Sequence, residues 1–237
     1  MADFLSFVPD FFPSLLRGAI ITLQLTVCAG FLGLVGGTLL GIARLSSFSP
    51  LRWFARIYID FFRGTPLLTQ LFMIYFGIPA LAKGLGFTFT FDRWSAAVLA
   101  LSLNAAAYLA EIVRAGIQSI EMGQREAAES LGLTPIETLR YIIFPQAFRR
   151  MIPPLGNEFI TLLKDTSLVS VIGFEELFRR GQLIVATSYR TFAVFFAVAL
   201  VYLVLNTLLS QFFSFLERWT DPVHKAKRKH AQPAIAD

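Results

Sequence analysis

A few side chains inside long apolar stretches carry charge or hydrogen-bonding capacity at helical spacing. Asn104, Tyr108 and Glu111 recur at i, i+4 and i+7, with Arg114 three residues beyond Glu111. Glu158, Thr161 and Asp165 share one helical face, and Asn157, Thr161 and Lys164 share an overlapping one. A lipid-facing helix that carried these charges at the bilayer centre would lose several kcal/mol for each, so such stripes face protein or water. The chemistry open to them is the lining of a hydrated path for a polar solute. Two structural readings compete with it. Glu111 and Arg114 can sit at a membrane boundary and reach out to it, and Lys164 can pair with an acid on a neighbouring helix. Asn104, Glu111, Glu158, Thr161, Lys164 and Asp165 are therefore the candidate path residues, with Ser167, Ser170 and Gly173 extending the line.

Other chemistry finds little support. No stretch reads G-x-x-x-x-G-K-[ST], no H-E-x-x-H occurs, and no Ser/His/Asp set or pair of acids outside the apolar runs suggests a hydrolase. The single Cys28 excludes a disulfide framework and a cysteine metal site, and His224 and His230 lie in a basic tail. With 55% hydrophobic residues, 25 Phe among 237 and a mean hydropathy of +0.62, the chain is too apolar for an ordinary soluble domain. Its net charge of +5 is accounted for by the flanks of the apolar runs.

The apolar runs predict five membrane spans, near residues 15–43, 51–79, 94–115, 157–173 and 191–216. The Phe-rich segment 1–13 lacks a basic start and reads as interfacial rather than as a secretory signal. Gly33, Gly37 and Gly41 form a ridge that lets a neighbouring helix approach closely. Arg52, Arg56, Asp60 and Arg63 draw a charged stripe up the second span, and Gly64-Thr65-Pro66 should kink it, since proline removes an internal hydrogen bond. Pro153, Pro154 and Gly156 predict another interruption, and Glu175 to Arg190 reads as an amphipathic stretch. Trp53, Trp94 and Trp219 all fall at span edges, as an aromatic belt requires. Basic residues concentrate in 44–56, 125–150 and 218–229, which predicts an outside N-terminus, a cytoplasmic C-terminus and a cytoplasmic loop at 121–150.

That loop, EMGQREAAESLGLTPIETLRYIIFP, is a polar island. Gln124 to Leu131 are good helix formers and Gly132 is a natural stop. Thr134 opens a second helix as its cap, with Pro135 in the first helical position and Glu137 placed to complete a capping box. Ala127, Ala128 and Leu131 fall at i, i+1 and i+4, a small-residue face that another surface can approach.

These residues carry a resemblance. Glu126-Ala127-Ala128, Gly132 and the ending from Ile142 to Pro145 resemble the EAA loop of ABC-importer permeases, with Phe144 where the family has Leu and Glu121-Met122 where it more often has Pro and Lys. GAIITLQLT from Gly18, FFRGTPLLTQLF from Phe61, LNAAAYLAEIVRAGIQSIEMGQ from Leu103 and PPLGNEFITLLKDTSLVSVIG from Pro153 resemble the polar amino-acid uptake permeases, so the similarity runs from about Leu15 to Glu217. The resemblance implies an all-α integral membrane protein with a type I ABC-importer permease core: one transmembrane domain over 1–220 and a basic cytoplasmic tail over 221–237. It implies a multi-pass subunit of the bacterial plasma (inner) membrane that imports polar or charged amino acids received from a periplasmic or surface binding protein. Glu126, Ala127, Ala128, Leu131 and Gly132 would couple it to a cytoplasmic ATPase, which would bind the ATP and Mg and leave this chain without a cofactor. Five spans are too few to enclose a path, so a second permease chain, identical or homologous, is expected. The alternative is a self-contained secondary transporter or channel for a small polar solute. The two halves of the chain show no internal repeat of the kind such carriers have.

Overall fold

The computed structural model describes residues 2–220, with side chains from Phe11 onward; the basic tail and the earlier phenylalanines lie outside the described side chains. Ten α-helices run in order: α1 (Ala2–Leu45), α2 (Ser49–Gly64), α3 (Leu67–Phe72), α4 (Ile78–Gly84), α5 (Arg93–Gln118), α6 (Met122–Ser130), α7 (Pro135–Glu137), α8 (Phe144–Asp165), α9 (Leu177–Ser188) and α10 (Thr191–Thr220). Among the described residues four stretches are long and apolar enough to cross a membrane: Phe11–Leu45, Leu67–Gly84, Arg93–Gln118 and Thr191–Thr220. The fourth span expected from sequence, on α8, is not among them because its own charges lower its hydropathy.

At the centre stands α5, whose alanines Ala96, Ala97, Ala100, Ala105, Ala107 and Ala110 are all buried. The glycine ridge of α1 lies directly on it. A methyl group placed on Gly37 would sit 2.6 Å from Leu109 Cβ and 2.9 Å from the Ala106 carbonyl, and one on Gly41 would sit 2.8 Å from the Ala110 carbonyl. Glycine on one helix and alanine on the other bring the backbones together, which is how helices gain contact where lipid supplies no hydrophobic drive. The same device recurs at Gly116, which faces Met151 of α8, and at Gly156, which faces Phe213 of α10.

The break expected at Pro66 is complete: Thr65 and Pro66 are extended, separating α2 from α3. Having no N–H, Pro66 leaves the Phe62 carbonyl one turn back without its intrahelical partner. Gln70 supplies one, donating from Nε2 to Phe62 O at 2.9 Å and to Thr65 O at 3.0 Å. Asn104 of α5 donates in turn to Gln70 Oε1 at 2.9 Å, holding the amide in that orientation. Tyr58 adds a second tie by donating to the Leu103 carbonyl at 2.8 Å.

Elsewhere proline is absorbed rather than obeyed. A wide π turn over Met73–Gly77 joins α3 to α4, so the second span runs on past Pro79 to Gly84 instead of ending there. A second one over Thr138–Ile143 precedes Pro145. Such a turn moves the carbonyl that the proline ring would strike. The interruption expected at Pro153 and Pro154 does not occur: α8 is continuous through both, and both are exposed, so the two carbonyls they leave unpaired lie on an open face. Helix α1 likewise continues through Pro9 and Pro13.

After α8 the chain tightens into a 3-10 segment, Thr166–Ile172, which stops at Gly173 with φ of 76°. Glu176, fully buried, then caps α9. Its carboxylate accepts the amides of Phe178 and Arg179 at 2.8 and 2.7 Å and the Tyr202 hydroxyl at 2.9 Å, while Leu177 N donates to Thr22 Oγ1 at 3.2 Å. These bonds tie α9 to α1 and α10.

Because Gly37 meets backbone atoms, Gly37→Val should push α1 off α5 at a cost of about 1–3 kcal/mol or more, the usual penalty for overpacking. Gly84, with nothing within 4 Å of an added methyl, should accept Ala with no such loss. Thermal unfolding of the two variants in the same detergent checks this, and an unchanged Tm for Gly37→Val would refute the seam.

Candidate functional site: a capped loop corner and a polar cleft

The loop between α5 and α8 is built from its caps. Helix α6 ends at Ser130 with Leu131 as its C-cap, and Gly132 follows at φ of 80°, a left-handed conformation that glycine alone adopts without penalty. The reversal lets Gly132 N donate to Glu129 O at 2.9 Å and Leu133 N to Ala128 O at 3.1 Å, pairing carbonyls the helix end leaves free. Thr134 then forms the full capping box: its hydroxyl accepts Glu137 N at 3.3 Å, and Glu137 Oε2 accepts the Thr134 amide at 2.8 Å and hydroxyl at 2.7 Å. The bonds from the Thr134 amide and hydroxyl hold the Glu137 carboxyl below its ordinary range. A depressed carboxyl contributes stability above its unfolded pKa and loses it as pH falls through the folded one, so this corner loosens only on acidification.

Of the five residues expected to face a partner, Glu126, Ala127, Leu131 and Gly132 are exposed, whereas Ala128 is 3% exposed and packs inward against the chain itself. On α6 Ala128 is the one position turned inward, while its neighbours Ala127 and Glu129 are both exposed. The exposed apolar set includes two side chains that the helical pattern did not single out, Met122 at 75% and Ile136 at 78%, beside Leu131 at 82%. Ile136 is legible only in hindsight, as the residue that Pro135 fixes at the start of α7.

The candidate path residues fall into separate settings. Glu111 is the hub of a charge cluster: Arg114 Nη2 lies 2.7 Å and its Nε 3.0 Å away, Arg44 of α1 is at 3.8 Å and Arg63 of α2 at 4.0 Å. Arg63 also lies over the Tyr108 ring at 5.3 Å. Glu111 and Glu158 line one cleft of about 490 Å³, with Arg63, Arg114 and Arg150 on its walls.

 Lys164 lies in a separate cleft of about 510 Å³, with Phe178, Phe195 and Tyr202, between α8, α9 and α10. Asn104, 9% exposed, lines neither and is occupied in holding Gln70. Asp165 is half-buried against Leu67, Leu71 and Ala100. Thr161 is exposed. The structure thus joins Glu111 to Glu158 and parts both from Lys164, while Asn157, Thr161 and Lys164 form one uncovered stripe along α8.

Residues 10–222 match the family described as the binding-protein-dependent transport system inner membrane component. The chain belongs to this family. As such a permease it is 41% identical over 208 residues to the arginine transport system permease protein ArtQ of Bacillus subtilis (strain 168), covering 88% of this chain and 92% of that relative. It is 43% identical over 206 residues to the glutamine transport system permease protein GlnP of Escherichia coli (strain K12), covering 87% and 92%. A solved structure titled as an amino acid ABC transporter with histidines superposes at a TM-score of 0.83 with 42% identity, covering 92% of this permease and 99% of that chain. The MetNI methionine ABC transporter, at 23% identity and a TM-score of 0.71, supports the fold alone. The permease is therefore a multi-pass transport subunit of the inner membrane rather than an enzyme.

If the corner depends on its caps, Thr134→Ala should weaken it by about 1 kcal/mol and speed exchange of the Glu137 amide roughly fivefold. Amides in the middle of α5 should be unaffected. Hydrogen exchange followed by mass spectrometry reads both, and equal protection of the 134–138 peptide in the variant would remove the capping argument.

Proposed function

We propose that this permease imports polar or charged amino acids, receiving them from an extracytoplasmic binding protein and driven by ATP hydrolysis in a cytoplasmic partner. In this reading α8 is a fifth crossing. From Met151, just past Arg150, α8 and the 3-10 segment that continues it to Ile172 rise about 35 Å, enough to span the hydrocarbon. The N-terminus is then outside, and residues 1–220 form one domain with a basic cytoplasmic tail over 221–237. The partner ATPase binds ATP and Mg and docks on Glu126, Ala127, Leu131 and Gly132, with Ala128 as the inward anchor of the same helix.

The observation that carries this reading is the uncovered stripe of Asn157, Thr161 and Lys164. Hydrocarbon would reject it, and nothing within the described residues covers it, so a second permease chain and water must. Acids at Glu111, Glu158 and Asp165 complement an amino acid's ammonium group, and Lys164 complements its carboxylate, without the tight binding that would prevent release. Asn104 supports the path from behind, by fixing the break between α2 and α3. A self-contained carrier would have to cover the stripe within one chain.

In the full complex with Cys28 replaced, a single cysteine at Thr161 should react with a charged, membrane-impermeant thiol reagent, and substrate or a change of nucleotide state should slow it. A cysteine at Leu163, which is fully buried, is the control. Protection of position 161 in every state would overturn the pathway assignment.

A further inference from the structure

Beneath the coupling loop lies a hollow of about 630 Å³ that the transport reading does not use. One wall is Leu39, Ile42 and Leu45 from the last turns of α1, joined by Leu51 at the start of α2; all four are substantially exposed. That wall continues the apolar surface of a membrane-spanning helix, so the hollow opens sideways toward the leaflet on the loop's side. The opposite wall is Leu139 with Thr138, in the wide turn between α7 and α8. At the mouth stand Arg125 and Glu129, which flank the inward-facing Ala128 on α6.

The charges at the mouth indicate an anionic ligand. Arg125 forms no ion pair among the described residues, although Glu129 is one turn away. Arg52 donates at 3.1 Å to the carbonyl of Ser46, a lining residue, and so adds a second positive charge next to the hollow. The local charge is therefore positive around an apolar slot, the combination by which pockets on the cytoplasmic side recognise anionic lipid head groups.

We propose that an anionic phospholipid of the inner leaflet occupies this hollow, with an acyl chain along Leu39, Ile42 and Leu51 and its phosphate at Arg125. The site rests on the orientation proposed above. Bound there, the lipid braces α6 against α1 and makes transmission between the ATPase and the membrane helices depend on lipid charge.

The test uses the permease purified with its ATPase, delipidated, and titrated in nanodiscs with phosphatidylglycerol or phosphatidylcholine while native mass spectrometry counts retained lipid. Phosphatidylglycerol should be retained preferentially and resist competition by inorganic phosphate. Arg125→Gln should weaken its retention roughly fivefold, the effect of one basic residue near an anionic surface. Leu139→Trp, which fills the slot, should abolish it. A photoreactive benzoylphenylalanine at Leu139 should crosslink to lipid, which decides the matter if the Trp variant fails to assemble. Equal retention of phosphatidylcholine, displacement by inorganic phosphate, or crosslinking to the ATPase would each overturn the proposal. Orientation is read separately, from which side of sealed vesicles a thiol reagent reaches a cysteine at Ser130, so a failed lipid site is distinguishable from a failed topology.

Discussion

Close approach of α1 to α5, glycine against alanine, is the contact on which the other features depend. Lipid gives two apolar helices no reason to associate, so their stability rests on how many atoms can touch and how near the backbones come. Gly33, Gly37 and Gly41 bring α1 down on Ala105, Ala106 and Ala110. With α5 fixed, its other faces act as a frame. Asn104 holds the amide that repairs the break at Pro66, and Glu111 gathers arginines from α1, α2 and α5 itself. Below them α5 leads into the loop that carries the Gly132 corner.

Polar groups in this permease divide by whether the chain satisfies them. Gln70, Asn104 and Glu176 each have partners from more than one helix, and their work is to hold helices in register. An unpaired group in such a place costs about 1–3 kcal/mol, more if charged, so these partners are structurally required. Asn157, Thr161 and Lys164 differ: they share a face and are exposed. A polar stripe that one chain leaves open is the physical reason to expect a second chain, and it separates a path from a framework more clearly than charge alone.

Much of this was legible in the sequence where local chemistry decides. The glycine ridge, the stop at Gly132, the Thr134–Glu137 box and the break at Pro66 each follow from residues within a turn or two of one another. What escaped depends on distant partners. Asn104 looked like a path residue because its spacing matched Glu111, but Gln70, far away in sequence, buries it. Glu176 gave no signal, since glutamate is an ordinary surface residue until Tyr202 and two amides surround it. Pro153 and Pro154 suggested a break, yet tertiary packing of α8 against α5 and α10 carries the helix through them.

The most direct test of transport by this chain is reconstitution with its ATPase and binding protein in liposomes, following uptake of labelled amino acid. Accumulation should require ATP on the ATPase side and all three components, and should persist when proton and sodium gradients are collapsed. Uptake by the permease alone, driven by an imposed ion gradient, would contradict the account and identify a self-contained carrier.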